Sequence, residues 1–243
     1  MLMKYAILSD IHGNLEALRS VLAEIRRHKV EKYICLGDIV GYGANPNECL
    51  GLLQSLNPYA VLGNHDAAVC GLTGLENFTP LASQAIIWTT RELKSAGQEY
   101  LASLPLVRSF GDIIIFHSNL ASPADWRYIQ KPRETYSSFE KLPGWIGFFG
   151  HSHRPAIFQK NEQWVDYVIE TEFPLSREEQ YLINVGSVGQ PRDRDPRASF
   201  AVFDNESGEL KIIRVKYPIR KAQKKIRAAG LPERLAARLA EGK

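Results

Sequence analysis

The sequence predicts an α/β fold in which two packed, mainly mixed β-sheets are flanked by helices in a single domain. In the first half of the chain, short apolar segments alternate with amphipathic helical patterns, as in proteins with a parallel sheet. The second half holds a series of strand-like segments, which predicts a second sheet. With 243 residues and 44% hydrophobic content, the chain can bury a core of this size.

The helices of the first half have recognisable starts. A helix is expected from Asn14 to about His28, because asparagine before the apolar pattern LEALRSVLAEI is typical of an N-cap. Another is expected after Pro46, since proline suits the first helical turn. The expected elements are, in order, the strand KYAILSD, the first helix, the strand KYICLGD, the second helix, the strand YAVLGN, a helical region over about 80–103, and the strands DIIIFHS and WIGFFGHSH.

The second half predicts the strands AIFQK, QWVDYVIE, YLINVGS, ASFAVFD and LKIIRVKY. The last two are joined by NESG, a hairpin signal. Residues 118–142 show no pattern that predicts helix or strand. Because no repeat, low-complexity segment or linker divides the chain, we expect one domain over residues 1–243.

Residues 216–243 form a basic tail, with nine Lys or Arg against two Glu, while the rest of the chain is mildly acidic. Such a tail could bind nucleic acid or an acidic partner. However, apolar residues recur in it at roughly helical spacing. We therefore expect basic helices over about 218–241 that dock on the domain, with their lysines in solvent.

Two classes of protein are disfavoured. The N-terminal segment YAILSD has neither a basic leader nor a cleavage site, and no apolar run approaches the length of a membrane span. We therefore expect a soluble, cytoplasmic protein.

Cys35, Cys49 and Cys70 are widely spaced and form no CxxC motif, so we expect buried thiols and no disulfide framework.

Polar residues follow the predicted strands at their carboxyl ends, where open α/β sheets bind ligands. Five of the six histidines occupy such positions, together with two aspartates and one asparagine: Asp10, His12, Asp38, Asn64, His65, His117, His151 and His153. Scattered core or surface histidines would have no reason to share this position. The donors outnumber what one octahedral ion uses, so two ions that share a bridging carboxylate fit them better.

His151 and His153 lie two residues apart, so an extended backbone would point both imidazoles to the same side. Two neutral imidazoles that converge could bind a metal ion. The alternative is that one is a hydrogen-bonded loop residue and the other is solvated. The pair alone does not decide between these interpretations.

Five sequence blocks resemble the calcineurin-like metallophosphoesterase superfamily: DIHGN, GDIVGYG, GNHD, the strand-end His117, and GHSH. They cover residues 4 to about 155, and NVGSVGQPRD with the β-rich end resembles the compact bacterial branch of phosphodiesterases and phosphatases. The resemblance implies a four-layer α/β sandwich. One departure is HSNLASP, where the family often has glycine after the histidine, so Ser118 and Asn119 are expected to alter the loop over the substrate.

The resemblance also implies roles for individual residues. It implies one metal ion bound by Asp10, His12, Asp38 and His153, and a second bound by Asp38, Asn64, His117 and His151, with Asp38 bridging. The cofactors would be two divalent transition-metal ions, for which we expect Mn²⁺, with Fe, Ni, Co and Zn as alternatives. His65 would lie near the leaving group, with Asp66 as its partner.

Our mechanistic hypothesis is hydrolysis by in-line attack of a metal-bridging hydroxide. His65, oriented by Asp66, would donate a proton to the leaving group. Asn14 and Arg192 are candidate substrate-binding residues. Asn14 could instead serve only as a helix cap, and Arg192 could form a surface ion pair with Asp193.

The sequence leaves the substrate open among phosphomonoesters, phosphodiesters, dinucleoside polyphosphates and phosphoproteins. We expect a small phosphorylated substrate or a phosphoprotein as partner, rather than nucleic acid or a membrane.

Two other functions are considered, a catalytically silent scaffold of the same fold and a nucleic-acid-processing esterase that uses the basic tail. A silent scaffold should have lost metal ligands, whereas every block here keeps its ligating residue. No oligomeric state is predicted.

Overall fold

Twelve strands and eight α-helices make up residues 3–243, the part of the chain that the computed structural model describes. The strands are β1 (Lys4–Leu8), β2 (Lys32–Cys35), β3 (Tyr59–Ala60), β4 (Val107–Phe110), β5 (Ile113–Phe116), β6 (Ile146–Phe149), β7 (Ala156–Lys160), β8 (Val165–Val168), β9 (Glu172–Pro174), β10 (Gln180–Asn184), β11 (Ala198–Asp204) and β12 (Glu209–Val215). The helices are α1 (Leu15–Ile25), α2 (Pro46–Ser55), α3 (Asn64–Val69), α4 (Pro80–Glu92), α5 (Ser95–Ala102), α6 (Tyr136–Lys141), α7 (Ile219–Ala228) and α8 (Glu233–Ala237). Short 3₁₀ helices span Arg26–His28, Pro123–Asp125, Pro132–Glu134 and Arg238–Ala240.

The strands form two six-stranded mixed sheets. Sheet A has the order β3-β2-β1-β11-β12-β9, and its strands β1, β2 and β3 run parallel to one another. Sheet B has the order β4-β5-β6-β10-β7-β8, and β5, β6 and β10 run parallel. The other pairs are antiparallel, including the β11–β12 hairpin around NESG. The predicted fold class is confirmed.

Apolar side chains fill three layers between and outside the sheets. Ile7 and Ile34 of sheet A meet Ile115, Phe148 and Ile183 of sheet B, and all five are fully buried. A second cluster packs helices α1, α2, α4 and α7 on the outer face of sheet A, and a third packs α6 on the outer face of sheet B. This gives the order helix, sheet, sheet, helix, with each sheet covered on both faces.

The chain differs from the sequence-based prediction in a few elements. Strand β3 is only two residues long, and α3, which was not predicted, begins at Asn64 soon after it. The helical region over 80–103 is divided because Leu93 is extended, with φ −74° and ψ 128°, between α4 and α5. Residues 118–142, which showed no pattern, form two 3₁₀ helices and α6.

The basic C-terminal helices pack on the domain through an apolar stripe. Its buried members are Ala222, Ile226, Leu231, Leu235, Ala236 and Leu239, which join the cluster over α1. Lys225 Nζ also lies 2.8 Å from Glu16 Oε1, and Glu16 is only 4% exposed. Part of the positive charge of the tail is therefore neutralised within the domain.

Within residues 3–243, no helix is both long and apolar enough to cross a membrane. The three cysteines are free thiols, with Cys35 and Cys49 buried and Cys70 half-buried. Burial raises the pKa of Cys70 to about 11, which keeps this thiol protonated at neutral pH.

Candidate metal centre

Five loops carry the predicted metal ligands, and each loop follows the carboxyl end of a parallel strand. The loops after β1, β2 and β3 leave sheet A, and those after β5 and β6 leave sheet B. Backbone hydrogen bonds join neighbouring loops: His12 N donates to Asp38 O at 2.9 Å, and Gly150 N donates to His117 O at 2.9 Å. Residues far apart in the sequence therefore meet at one edge of the two sheets.

The predicted ligands form two adjoining groups. Asp10, His12, Asp38 and His153 make up the first, and Asp38, His117 and His151 make up the second. Within each group the ligand atoms lie within 4.8 Å of one another, and all of these side chains are buried. Asn64 lies beside the second group, with its Oδ1 3.1 Å from His117 Nε2. Asp38 belongs to both groups, as a bridging carboxylate must.

Each of the four ligand histidines has one ring nitrogen against a backbone carbonyl oxygen. The pairs are His12 Nδ1 with Val40 O (3.0 Å), His117 Nδ1 with Leu36 O (2.7 Å), His153 Nδ1 with Gln190 O (2.6 Å) and His151 Nε2 with Trp126 O (2.8 Å). A carbonyl can only accept, so the facing nitrogen must carry the proton. The other nitrogen is then the one that can bind a metal ion, the arrangement found around metal-binding histidines.

The two carboxylates are held between backbone donors and imidazoles. Asp10 accepts from His151 N at 3.1 Å, and Asp38 Oδ1 accepts from His65 N at 2.8 Å. Asp38 Oδ2 lies 3.3 Å from His117 Nε2 and 3.5 Å from His12 Nε2. Burial alone would raise the pKa of Asp38, but the protonated imidazole of His117 holds it well below its usual range. Asp38 is therefore a carboxylate at neutral pH.

Most of the site histidines are neutral at physiological pH. Burial lowers the pKa of His65 to about 4 and that of His151 to about 3, and it also lowers the pKa of His12 and His153. His117 differs, because Asp38 outweighs the effect of burial and raises its pKa to about 9. At neutral pH, His117 and Asp38 therefore form an ion pair in the metal-free protein, with Nε2 and Oδ2 3.3 Å apart.

The backbone of the site has left-handed conformations that side chains rarely adopt. The φ angles of five ligands are positive: Asp10 (51°), His12 (49°), Asp38 (52°), His151 (65°) and His153 (58°). Tyr42 and Trp126, which line the site, share this feature. Such conformations are costly for residues other than glycine, and they cluster at functional sites.

Among the described residues, the Asp66 carboxylate forms no hydrogen bond with the ring of His65, contrary to the predicted pairing. Its carboxylate accepts from the backbone N–H groups of Ile39 (2.9 Å), Val40 (3.1 Å) and Gly63 (3.3 Å). His65 Nδ1 is buried and has no hydrogen-bond partner among the described residues. Asp66 therefore fixes the loop after β2 and the start of α3, and it positions His65 only through the backbone.

Asn14 is engaged within the protein at both ends of its amide. Its Oδ1 accepts from Ala17 N at 3.1 Å, and its Nδ2 donates to Gly189 O at 2.8 Å. It is 5% exposed and caps α1. The alternative that Asn14 is only a helix cap therefore fits the structure, and its predicted contact with substrate does not.

Arg192 lies beside the site and does not pair with Asp193. Its Nε and Nη2 donate to Gln190 Oε1 at 3.2 and 2.8 Å, and its Nη2 lies 3.4 Å from Tyr42 Oη. Asp193 pairs instead with Arg214. The side chain of Arg192 is thus held at the rim of the metal centre and keeps donors for an anion.

A cleft next to the second ligand group has an aromatic lining that the sequence analysis did not identify. It contains Tyr42, Asn64, His65, Phe78, Trp126, Tyr128 and His151. The Tyr128 ring stacks on His151, with centroids 4.1 Å apart, and its side chain is 48% exposed. Trp126 and Tyr128 lie in the region without a secondary-structure pattern, so only their aromatic character could have pointed to them. Asn119 Oδ1 accepts from Ala121 N and Ser122 N and shapes the start of this loop.

A family model described as the calcineurin-like phosphoesterase superfamily domain matches residues 3–208. The chain belongs to this superfamily. It is 43% identical over 242 residues to the uncharacterized protein MJ0912 of Methanocaldococcus jannaschii, covering 98% of each chain. A metallophosphoesterase from Sphaerobacter thermophilus has a similar structure, with a TM-score of 0.89, 38% identity and 100% coverage of both chains. Hypothetical protein PH1004 from Pyrococcus horikoshii OT3 shares the fold, with a TM-score of 0.79, 21% identity, and coverage of 99% and 98%.

Membership in the calcineurin-like phosphoesterase superfamily confirms the resemblance found in the sequence blocks. Phosphoesterases of this superfamily use divalent metals, and the donors of this chain fit such ions. They combine imidazole nitrogens with carboxylate and amide oxygens, a set that suits first-row transition metals. The carbonyl groups that face the four histidines support the same conclusion, because they leave the other nitrogen of each imidazole as the one that can bind a metal ion.

Proposed function

We propose that this protein is a metal-dependent phosphoesterase that uses two divalent transition-metal ions, with Mn²⁺ as the first candidate. The observation that carries this proposal is the pair of buried ligand groups that share Asp38. The first ion would be held by Asp10, His12, Asp38 and His153, and the second by Asp38, Asn64, His117 and His151. When bound, two such ions activate water at neutral pH and neutralise phosphoryl oxygens.

The residues around the ligands supply the remaining needs of phosphoester hydrolysis. His65 lines the cleft and is buried next to His12, with ring centroids 4.8 Å apart. It is the candidate proton donor to the leaving oxygen. Because burial lowers its pKa to about 4, it must gain its proton after the anionic substrate binds. Arg192 is the candidate contact for a phosphoryl oxygen, since guanidinium groups match phosphate geometry.

The cleft limits the substrate class only coarsely. Its aromatic side chains could stack on a planar leaving group, as in an aryl or nucleoside ester. Phosphomonoesters, phosphodiesters and dinucleoside polyphosphates therefore all remain candidate substrates, and a phosphoprotein could present a phosphorylated side chain to the same cleft.

A substrate panel tests the proposal. Purified protein, stripped of metal and reloaded with Mn²⁺, would be assayed with a phosphomonoester, a phosphodiester, a cyclic nucleotide, a dinucleoside polyphosphate and a phosphopeptide. We expect Mn²⁺-dependent turnover of at least one class and its loss in Asp38→Asn. Asp195→Asn is the matched control, because within residues 3–243 the Asp195 side chain forms an ion pair with Arg197 alone. Absence of metal-dependent turnover on the whole panel would favour the catalytically silent scaffold.

The nucleic-acid-processing alternative has less support. The C-terminal helices bury their apolar stripe against the domain, and several of their cations are paired: Lys225 with Glu16, Arg227 with Glu233, and Arg234 with Glu241. A nucleic-acid site on this tail would give binding that weakens steeply with salt. We expect no such binding to a single- or double-stranded oligonucleotide in a salt titration.

A further inference from the structure

The aromatic cleft beside the second ligand group is lined by residues that follow strands of both sheets. On the sheet A side, the ring centroids of Tyr42 and Phe78 lie 4.4 and 5.2 Å from that of His65. On the sheet B side, the Tyr128 ring stacks on His151, with centroids 4.1 Å apart and planes 13° apart. Aromatic rings from both sides therefore line one cavity that adjoins the candidate metal ligands.

The loop that carries Tyr128 is held by contacts outside the cleft. Ile129, the next residue, is 2% exposed and packs in the apolar cluster on the outer face of sheet B. Gln130 N donates to Glu134 Oε2 at 2.8 Å. Tyr128 is nevertheless 48% exposed, although His151 covers part of its ring. Because this side of the cleft is already ordered, a ligand that stacks there does not have to pay for its ordering.

The size and charge of the cleft suit an uncharged ring. It encloses about 120 Å³, whereas pockets that enclose a whole drug-sized ligand measure roughly 300–1,000 Å³. Among residues 3–243, no lysine or arginine lines it, and its one carboxylate, that of Asp125, pairs with Arg127 at 3.4 Å. A second phosphate would meet no cationic side chain there. The cleft therefore fits a single ring system better than a further phosphate.

His65 connects this cleft with the leaving-group side of the proposed reaction. It lines the cleft and is the candidate proton donor to the leaving oxygen. Its ring centroid lies 4.8 Å from that of His12, in the first ligand group, and 5.2 Å from that of Phe78. A ring carried by the leaving group would therefore lie in the cleft while its phosphoryl group lies at the ligand groups.

We propose that this cleft binds an aromatic ring of the leaving group, and that Tyr128 stacks on that ring. The inference rests on the proposed phosphoesterase function and narrows its substrate class. Aryl phosphates and nucleotides share this chemistry, whereas esters of alkyl alcohols and of sugars without a base lack it. Stacking selects a flat ring, because the faces and edges of π-systems attract one another in offset or edge-to-face arrangements.

Calorimetry on the Mn²⁺-loaded protein tests this ring site without catalysis. Phenylphosphonate, cyclohexylphosphonate and methylphosphonate share one anionic group and contain no ester bond. We expect phenylphosphonate to bind about tenfold more tightly than methylphosphonate, and also more tightly than cyclohexylphosphonate. In Tyr128→Ala this preference should be lost, while the methylphosphonate affinity and the Mn²⁺ content stay at their wild-type values.

Two further variants control for the loss of a tyrosine. Tyr128→Phe keeps the ring and should keep the preference. Tyr136→Ala removes a tyrosine of similar exposure, 45%, from α6 outside the cleft, and should match the wild type. A preference for phenylphosphonate that persists in Tyr128→Ala would overturn the proposal. Equal affinities of the wild type for the phenyl and cyclohexyl compounds would overturn it as well.

Kinetics distinguish the two sources of the ring. AMP and ribose 5-phosphate release the same primary hydroxyl group and differ in the base, so the ratio of their kcat/KM values measures recognition of a nucleobase. A wild-type ratio of about ten or more that falls toward one in Tyr128→Ala supports a nucleoside leaving group. A ratio near one, with a loss on phenyl phosphate in Tyr128→Ala, supports an aryl leaving group.

The two proposals can fail separately. Metal-dependent turnover that Tyr128→Ala leaves unchanged on both AMP and phenyl phosphate would overturn the ring site and leave the phosphoesterase proposal intact. If no ester is hydrolysed but the preference for phenylphosphonate depends on Tyr128, the phosphoesterase proposal fails while the ring site stands.

Discussion

The backbone carbonyl oxygen of Gln190 lies 2.6 Å from Nδ1 of His153 and fixes the tautomer of this candidate metal ligand. The side chain of the same glutamine accepts two hydrogen bonds from Arg192. One residue therefore orients a candidate metal ligand through its backbone and a candidate phosphate-binding residue through its side chain. Since only the side chain changes on substitution, the two roles can be separated.

Gln190→Ala should lower kcat/KM by roughly three- to tenfold, because Arg192 loses its partner and samples more conformations. The Mn²⁺ content, measured by elemental analysis, should stay at the wild-type value, since the carbonyl is retained. Gln190→Glu should reduce activity further, because a carboxylate would neutralise Arg192. A loss of metal in Gln190→Ala would contradict this separation of roles.

His65→Ala should slow hydrolysis most for esters with poor leaving groups. If His65 donates a proton to the departing oxygen, an alkyl ester should lose about 100-fold or more, and p-nitrophenyl phosphate much less. Steady-state kinetics on such a pair of esters, at equal Mn²⁺ occupancy, would measure this difference. Equal losses on both esters would instead place His65 in substrate binding or in the structure of the site.

The metal-free protein should lose stability as the pH falls below 6.5. Burial lowers the pKa of His65 to about 4 and that of His151 to about 3, so between pH 6.5 and these values the unfolded chain binds more protons than the folded chain. Each histidine contributes up to about 1.4 kcal/mol per pH unit in that window. Urea unfolding of His65→Asn in the presence of a chelator should show a smaller slope with pH than the wild type. An identical slope would mean that folded His65 titrates normally.

Gly189→Ala should destabilise the fold, because a Cβ at this position would lie 1.9 Å from the backbone oxygen of Ile11. Gly189 N also donates to Asp10 O at 2.9 Å, so the loop after β1 would have to move. We expect a loss of roughly 1–3 kcal/mol in the free energy of unfolding, together with weaker Mn²⁺ binding.

Gly51→Ala is the control for that substitution. Gly51 is exposed in α2, and a Cβ there would meet no atom within 4 Å. The free energy of unfolding should therefore rise by about 0.5–1 kcal/mol, because alanine favours a helix interior over glycine. Chemical denaturation of both variants would measure the two changes in the free energy of unfolding. Equal effects of the two substitutions would contradict the steric argument for Gly189.

The convergence of the candidate ligands could be predicted because strand ends carry unusual residue types. Asp10, Asp38 and His117 follow apolar strands, and parallel strands bring their carboxyl ends together. The backbone carbonyl groups that orient the candidate ligands have no such signal in the sequence. The carbonyl oxygens of Trp126 and Gln190 belong to the backbone, which every residue has, so only the folded loops reveal their role.

The contacts of Asp66 could not be predicted from the sequence either. A histidine followed by an aspartate suggests a side-chain pair, but α3 begins at Asn64 and directs the Asp66 carboxylate to the backbone of the preceding loop. Long-range contacts of this kind follow from packing rather than from local pattern.

The left-handed conformations of the metal ligands bear on any attempt to make this protein more heat-resistant. Glycine or asparagine relieves such backbone strain, so a search for stabilising substitutions would select Asp10, His12, Asp38, His151 and His153 as the first positions to replace. Each gain in melting temperature obtained there would remove a carboxylate or an imidazole from the candidate metal centre. Thermal engineering of this scaffold should therefore be confined to surfaces remote from the strand ends.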